Sequence, residues 1–119
     1  MDDSGCRGWM MNSSVLLSSQ SLLLLQVIAF QLCRAIAFLH TSNICHRDVK
    51  PNNLLVNAET GLVKICDLGS MKKLEPGAPN VSYICSRFFR APELLLGAEH
   101  YSCAIGLSSS YCCWLLLIL

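Results

Sequence analysis

The sequence predicts an α+β fold, mainly helical with one small β-hairpin, and three observations carry that reading. Between Ser21 and His40 apolar residues recur at helical spacing, with Leu25, Ile28, Ala29, Leu32, Ile36 and Leu39 following steps of three and four. Leu54-Leu55-Val56 and Leu62-Val63-Lys64-Ile65 are β-prone runs joined by Asn57-Ala58-Glu59-Thr60-Gly61, where Asn and Gly permit a turn. Pro92 precedes Glu93-Leu94-Leu95-Leu96 and Gly97 follows, the Pro-first, Gly-last pattern of a short helix.

The chain has 119 residues, enough for one hydrophobic core and too few for two domains. Hydrophobic residues are 53% and charged residues 14%, and the mean hydropathy is +0.46. That is too apolar for disorder and low in charge for a soluble domain, so part of the apolar surface is expected to face a partner. Nine Lys and Arg against eight Asp and Glu give a net charge of +1, which provides no field to recruit nucleic acid or an anionic membrane. Eight scattered cysteines contain no C-x-x-C pair and read as reduced, partly buried packing thiols of a cytosolic protein.

In chain order, residues 1–21 are Ser-rich without helical period and are expected to form a loose tail; Asp2 and Asp3 stand where a secretory signal would carry positive charge. The helix that follows is about long enough to span a bilayer, but Gln26, Gln31, Arg34 and His40 interrupt it, so it reads as a core helix with no membrane span. Thr41-Ser42-Asn43 can end it. The hairpin comes next, and Met71 to Asn80, with Pro76, Gly77 and Pro79, is expected to be a loop. Residues 106–119 close the chain as an apolar tail, and no internal repeat is present.

The chemistry concentrates in His46-Arg47-Asp48-Val49-Lys50-Pro51-Asn52-Asn53, followed fourteen residues after Asn53 by Asp67-Leu68-Gly69. Asp48 and Asn53 have the H-R-D-x-x-x-x-N spacing, in which an aspartate receives a hydroxyl proton and an asparagine holds a metal ion. With the run from Val81-Ser82-Tyr83 through Arg90-Ala91-Pro92-Glu93, this segment resembles the eukaryotic Ser/Thr protein kinases, in particular the glycogen synthase kinase 3 (shaggy-like) family. The resemblance covers about residues 27–105, and it implies a partial kinase fold: a mainly helical C-lobe piece, residues 22–105, without the N-lobe.

The resemblance assigns roles residue by residue. Asp48 is the catalytic base, and Lys50 places positive charge on the transferring phosphate of ATP. Asn53 and Asp67 supply hard oxygen ligands suited to Mg2+. Leu68 replaces the usual Phe of D-F-G and would offer an apolar side chain to the packing that holds the loop inward. Tyr83 stands at the activation-loop tyrosine, and Ser86 where a hydroxyl bonds the catalytic aspartate. Arg47 and Lys72 fall where the family gathers charge for a phosphate already on the protein substrate. The implied compartment is the cytoplasm, with the nucleus a second one.

The sequence has no G-x-G-x-x-G loop, no V-A-I-K lysine and no partner glutamate on a preceding helix, so the adenine would have few walls. Where the family continues Ile-Asp-Val-Trp-Ser, this chain reads Ile105-Gly106-Leu107-Ser108-Ser109. A split aspartate codon read into an intron would give that glycine, so residues 106–119 are expected to derive from a retained intron or a shifted exon boundary. Genomic sequence lacking a downstream in-frame Val-Trp-Ser continuation would remove that idea. Two functional readings stay open beside a mis-predicted gene product: an ATP-dependent protein kinase whose activity belongs to a longer product, and a non-catalytic decoy or scaffold-binding chain.

Overall fold

The computed structural model describes residues 21–57 and 59–118, and the side chains within 22–57 and 59–113. The tail expected over 1–21 lies outside this range except for Ser21, which opens helix α1 (Ser21–Thr41). Helix α1 buries Leu25, Ile28, Leu32 and Ile36, each 4% exposed or less, so the three-and-four spacing does mark its inner stripe. The opposite face leaves Leu22, Leu23, Phe30 and Phe38 exposed, with the Arg34 guanidinium over the Phe30 ring at 5.8 Å. By length and composition α1 could also cross a membrane; in this fold its inner stripe is core.

Strands β2 (Leu54–Val56) and β3 (Val63–Ile65) pair antiparallel in the register Leu54 with Ile65 and Val56 with Val63. Asn57 builds the turn: its Oδ1 accepts from the backbone N–H of Glu59 at 3.0 Å and of Thr60 at 2.9 Å. Gly61 closes it with φ 69°, a conformation that costs a residue with a Cβ. Gln31 then fastens the hairpin to α1, donating to Gly61 O at 2.8 Å and accepting from Val63 N at 3.0 Å.

Two elements differ from expectation. Lys72–Lys73, within the span read as a loop, form strand β4 against β1 (Ile44–Cys45). This pairing is a tertiary contact between segments nearly thirty residues apart, which local turn chemistry does not announce. The residues read as an apolar tail are helix α3 (Ile105–Ile118), packed on α1. Gly106 lies so close that an added Cβ would stand 3.4 Å from Ile36 Cγ2 and 3.5 Å from His40 Nε2. The short helix α2 (Pro92–Leu95) stops before Gly97, at φ 79°, as the Pro-to-Gly pattern predicts.

Two apolar clusters result. Cys45, Leu74, Ala91, Leu94, Cys103 and Ile105 form one; Leu32, Ile36, Val49, Leu54 and Cys113 form the other. The segment His46 to Asp48 runs between them, with Cys45 buried in the first and Val49 in the second. Full burial of such side chains stabilises by about 1.5–3 kcal/mol each, so the chain on either side of Asp48 is fixed by packing.

Candidate active site

Asp48 is the hub. Its Oδ2 makes an ion pair with Lys50 Nζ at 2.9 Å and accepts from Asn53 Nδ2 at 3.1 Å. Its Oδ1 accepts from Ser86 Oγ at 3.2 Å, and Lys50 Nζ donates to the same Ser86 Oγ at 3.2 Å. Burial alone would raise the Asp48 carboxyl, but hydrogen bonds from Lys50, Asn53 and Ser86, with the Lys50 charge, outweigh it and hold the group below its ordinary value. A carboxylate offers about four lone-pair sites, and three donors leave one, on Oδ1, unused.

The backbone supports this cluster. Arg47 adopts a left-handed φ of 66°, a strain of roughly 1–3 kcal/mol for a non-glycine residue. It is held there because Arg47 Nε donates to Ser70 O at 2.6 Å and the Cys85 thiol donates to Arg47 O at 2.7 Å. His46, 1% exposed, accepts from Asp48 N at 3.3 Å through Nδ1, and its Nε2 lies 3.1 Å from Cys66 O. The Nε2–H tautomer satisfies both bonds and ties the loop that carries Asp48 to the strand end before Asp67.

Asn53 donates through Nδ2 to Asp48 O at 2.8 Å as well as to Oδ2, which fixes its amide and commits the nitrogen, not Oδ1, to Asp48. Cys66 N donates to Asn53 O at 2.8 Å, so Asp67 follows directly from the residue bonded to Asn53. Asp67 is exposed in a left-handed conformation (φ 58°), its side chain accepting from Gly69 N at 3.4 Å. Asn53 and Asp67 both carry hard oxygen donors, the ligand type that suits Mg2+. Among the described residues no cluster of three His, Cys, Asp or Glu offers a different metal site.

The structure brings Asp48, Lys50, Asn53 and Ser86 into direct contact; the Asp67 side chain is bonded to its own turn, at Gly69 N, and touches none of them. Arg47 and Lys72 lie further along: Arg47 reaches Ser70 O, and Lys72 Nζ donates to Asn80 Oδ1 at 2.7 Å. A groove of about 370 Å³ opens there, lined by Lys72, Asn80, Val81, Tyr83 and also Glu99. Tyr83 is 81% exposed, its ring stacked 4.4 Å from the Arg90 guanidinium. Arg90 also donates to Ile84 O at 2.9 Å and Cys85 O at 3.0 Å, stiffening the segment before Ser86. Leu68, expected to pack inward, is instead 55% exposed at the start of a 3₁₀ turn (Leu68–Ser70), and neither apolar cluster includes it.

Sequence reasoning overlooked the residues that hold the site from behind. Ser109 on α3, 1% exposed, donates to Phe89 O at 2.6 Å. Phe89 ends the 3₁₀ turn Arg87–Phe89 whose N-cap is Ser86, and Phe89 N donates to Ser86 O at 2.9 Å. Ser109 thus anchors the turn that presents Ser86 to Asp48. The only signal for it was a serine within an apolar run, where a buried hydroxyl needs an acceptor.

Residues 10–117 match the family model of the protein kinase domain. Protein kinase gsk31 of Schizosaccharomyces pombe is 57% identical over 88 residues, covering 74% of this chain and 23% of that protein. Protein kinase gsk3 of the same yeast is 52% identical over 94 residues, covering 79% of this chain and 24% of that protein. The chain spans about a quarter of the length of these curated relatives. With its loop aspartate, lysine and asparagine assembled as described and a family match across most of its length, the chain belongs to the protein kinase domain family and is similar within it to the glycogen synthase kinase 3-like Ser/Thr kinases.

Proposed function

We propose that this chain is the catalytic-loop and activation-segment part of a kinase that transfers the γ-phosphate of ATP to Ser or Thr of proteins. The observation that carries this reading is the Asp48 carboxylate held by Lys50, Asn53 and Ser86, with one lone-pair direction left open. Phosphoryl transfer asks little covalent chemistry of the protein; alignment and charge stabilisation do most of the work. Asp48 would orient the acceptor hydroxyl and take up its proton at the open side of Oδ1. Its depressed pKa keeps it ionised at neutral pH and makes it a weak base, suited to receiving a proton late in the transfer. Lys50, already between Asp48 and Ser86, sets positive charge where the moving phosphoryl group would sit.

Asn53 Oδ1 and the Asp67 carboxylate would hold Mg2+ with the nucleotide. Bound there, the ion would neutralise phosphate charge. A pre-phosphorylated protein substrate is proposed to place its phosphate near Arg47 and Lys72, which the structure holds on separate partners, Ser70 O and Asn80 Oδ1. Tyr83 is proposed as a phosphorylation site, where a charge of about −1.5 to −2 would meet the Arg90 guanidinium.

The test is phosphate transfer from MgATP to a serine peptide that also carries a phosphoserine, read by mass spectrometry. Asp48→Asn and Lys50→Met should each reduce the rate by a factor on the order of 10²–10⁴. A wild-type rate equal to that of both variants would sink the catalytic reading. A second reading is a binding-only chain that engages substrates or scaffolds, for which the groove beside Lys72, Asn80 and Tyr83 offers a place. Saturating MgATP separates the two. A nucleotide site filled at a hundred times its Kd stabilises by about 2.7 kcal/mol, whereas a phosphopeptide-binding chain whose melting point ignores MgATP fits the second.

A further inference from the structure

The peptide that joins Arg47 to Asp48 is gripped by side chains at both of its polar atoms. Its oxygen, Arg47 O, accepts from the Cys85 thiol at 2.7 Å, and its nitrogen, Asp48 N, donates to His46 Nδ1 at 3.3 Å. A peptide is planar and turns as a unit, so these two bonds fix its rotation and with it the direction in which the Asp48 side chain leaves the backbone. The hold is needed, because Arg47 sits at φ 66°, where a residue with a Cβ is strained and keeps its shape only when its surroundings impose it.

Cys85 is itself held in place. It adopts φ 65°, its carbonyl accepts from Arg90 Nη2 at 3.0 Å, and the carbonyl before it, Ile84 O, accepts from Arg90 Nε at 2.9 Å. The next residue, Ser86, donates to Asp48 Oδ1 at 3.2 Å. Two consecutive residues of one segment thus bond two consecutive residues of another, Cys85 on the Arg47 backbone and Ser86 on the Asp48 carboxylate. Burial and the nearby Asp48 charge push the Cys85 thiol up to about 11, so it keeps its proton at neutral pH and can donate.

We propose that Cys85 is a positioning residue for phosphoryl transfer: its thiol holds the Arg47–Asp48 peptide in the orientation that brings the Asp48 carboxylate to Ser86 and Lys50. Its part in the transfer rests on the kinase reading above, whereas its hold on Asp48 rests on the geometry of the loop. Serine can replace the thiol, since 2.7 Å is already the length of an O–H···O bond. Alanine has no donor. Glycine has none either, but it suits φ 65° and so removes the bond while relieving the backbone.

The experiment titrates the Asp48 carboxyl carbon by NMR in the full chain and in Cys85→Ser, Cys85→Ala and Cys85→Gly, with the melting point of each. Cys85→Ala and Cys85→Gly should move the Asp48 midpoint upward, because a displaced carboxylate loses donors, and Cys85→Ser should keep the wild-type midpoint. If Cys85→Ala fails to fold, Cys85→Gly decides. An Asp48 midpoint unmoved in Cys85→Gly, whatever its melting point, would overturn the proposal and make the thiol a packing group. A midpoint raised as far in Cys85→Ser as in Cys85→Gly would overturn it too. In the phosphopeptide assay Cys85→Gly should lose roughly 10- to 100-fold in kcat with the KM for MgATP unchanged, and an unchanged kcat would remove the role in transfer. A wild-type chain that transfers no phosphate would sink the kinase reading, and the titration would still decide whether the thiol holds Asp48.

Discussion

Removing the Ser109 hydroxyl should cost about 2 kcal/mol of stability and loosen a residue at the far end of a hydrogen-bond chain. Ser109 is 1% exposed and donates to Phe89 O at 2.6 Å, with a second, longer contact to Ile105 O at 3.1 Å. In Ser109→Ala, Ile105 O keeps the helical bond it already has, but Phe89 O loses its side-chain donor. A net hydrogen bond contributes about 1 kcal/mol, and a partly buried carbonyl left unpaired costs about 1 more. For a domain of this size a 2 kcal/mol loss lowers the melting point by roughly 10 °C. Urea unfolding followed by far-ultraviolet circular dichroism would measure it. The same substitution should couple to Ser86→Ala by more than about 0.5 kcal/mol in a double-mutant cycle, because Phe89 N bonds Ser86 O. A loss below about 0.5 kcal/mol, or additive single mutants, would refute the idea that α3 positions Ser86.

Replacing Gln31 with Leu should cost about 1–3 kcal/mol, since Gly61 O and Val63 N both lose their partner; amide exchange at Val63 should quicken well beyond the global change. On the acid side, the Asp48 carboxyl is depressed in the folded protein. Its contribution is therefore present above the ordinary value of 3.8 and disappears as pH falls through the lower folded value. A carboxyl-carbon NMR titration with an Asp48 midpoint above 3.8 would show that burial outweighs the three donors. On the alkaline side, burial raises Cys45 and Cys113 from 9.0 to about 12, so their contribution is full below pH 9 and is lost as pH climbs toward 12. Each loss amounts to at most roughly 4 kcal/mol, and a flat stability profile across that interval would contradict it.

The sequence announced residues whose neighbours along the chain constrain them and hid those constrained from a distance. The α1 stripe, the Asn57 turn and the Pro92-to-Gly97 helix follow from local spacing. Asp48, Lys50, Asn53 and Ser86 were legible because their spacings are motifs, and the structure draws them into one cluster. Gln31 read as an interruption of an apolar helix, yet its amide clamps a turn thirty residues away. Helix α3 was missed because it is apolar on most sides and carries Ser108-Ser109-Ser110, weak helix formers. In place, Ser110 satisfies its hydroxyl on the carbonyl of Gly106, four residues earlier, and Ser109 gives its hydroxyl to Phe89 O. Lys72–Lys73 gave no strand signal, since two exposed lysines acquire a partner only when β1 arrives.

The Gln31 clamp also has a consequence for the order of folding. Helix α1 can form within about a microsecond and the hairpin within about 1–10 μs, each from local contacts. Neither fixes residues 42–53, which hold Asp48 and connect the two. Gln31 helps to close that segment by reaching Gly61 and Val63, contacts that close loops of 30 and 32 residues and carry the entropy of doing so. Refolding of Gln31→Leu should therefore slow where the hairpin docks, while the microsecond helix phase stays unchanged.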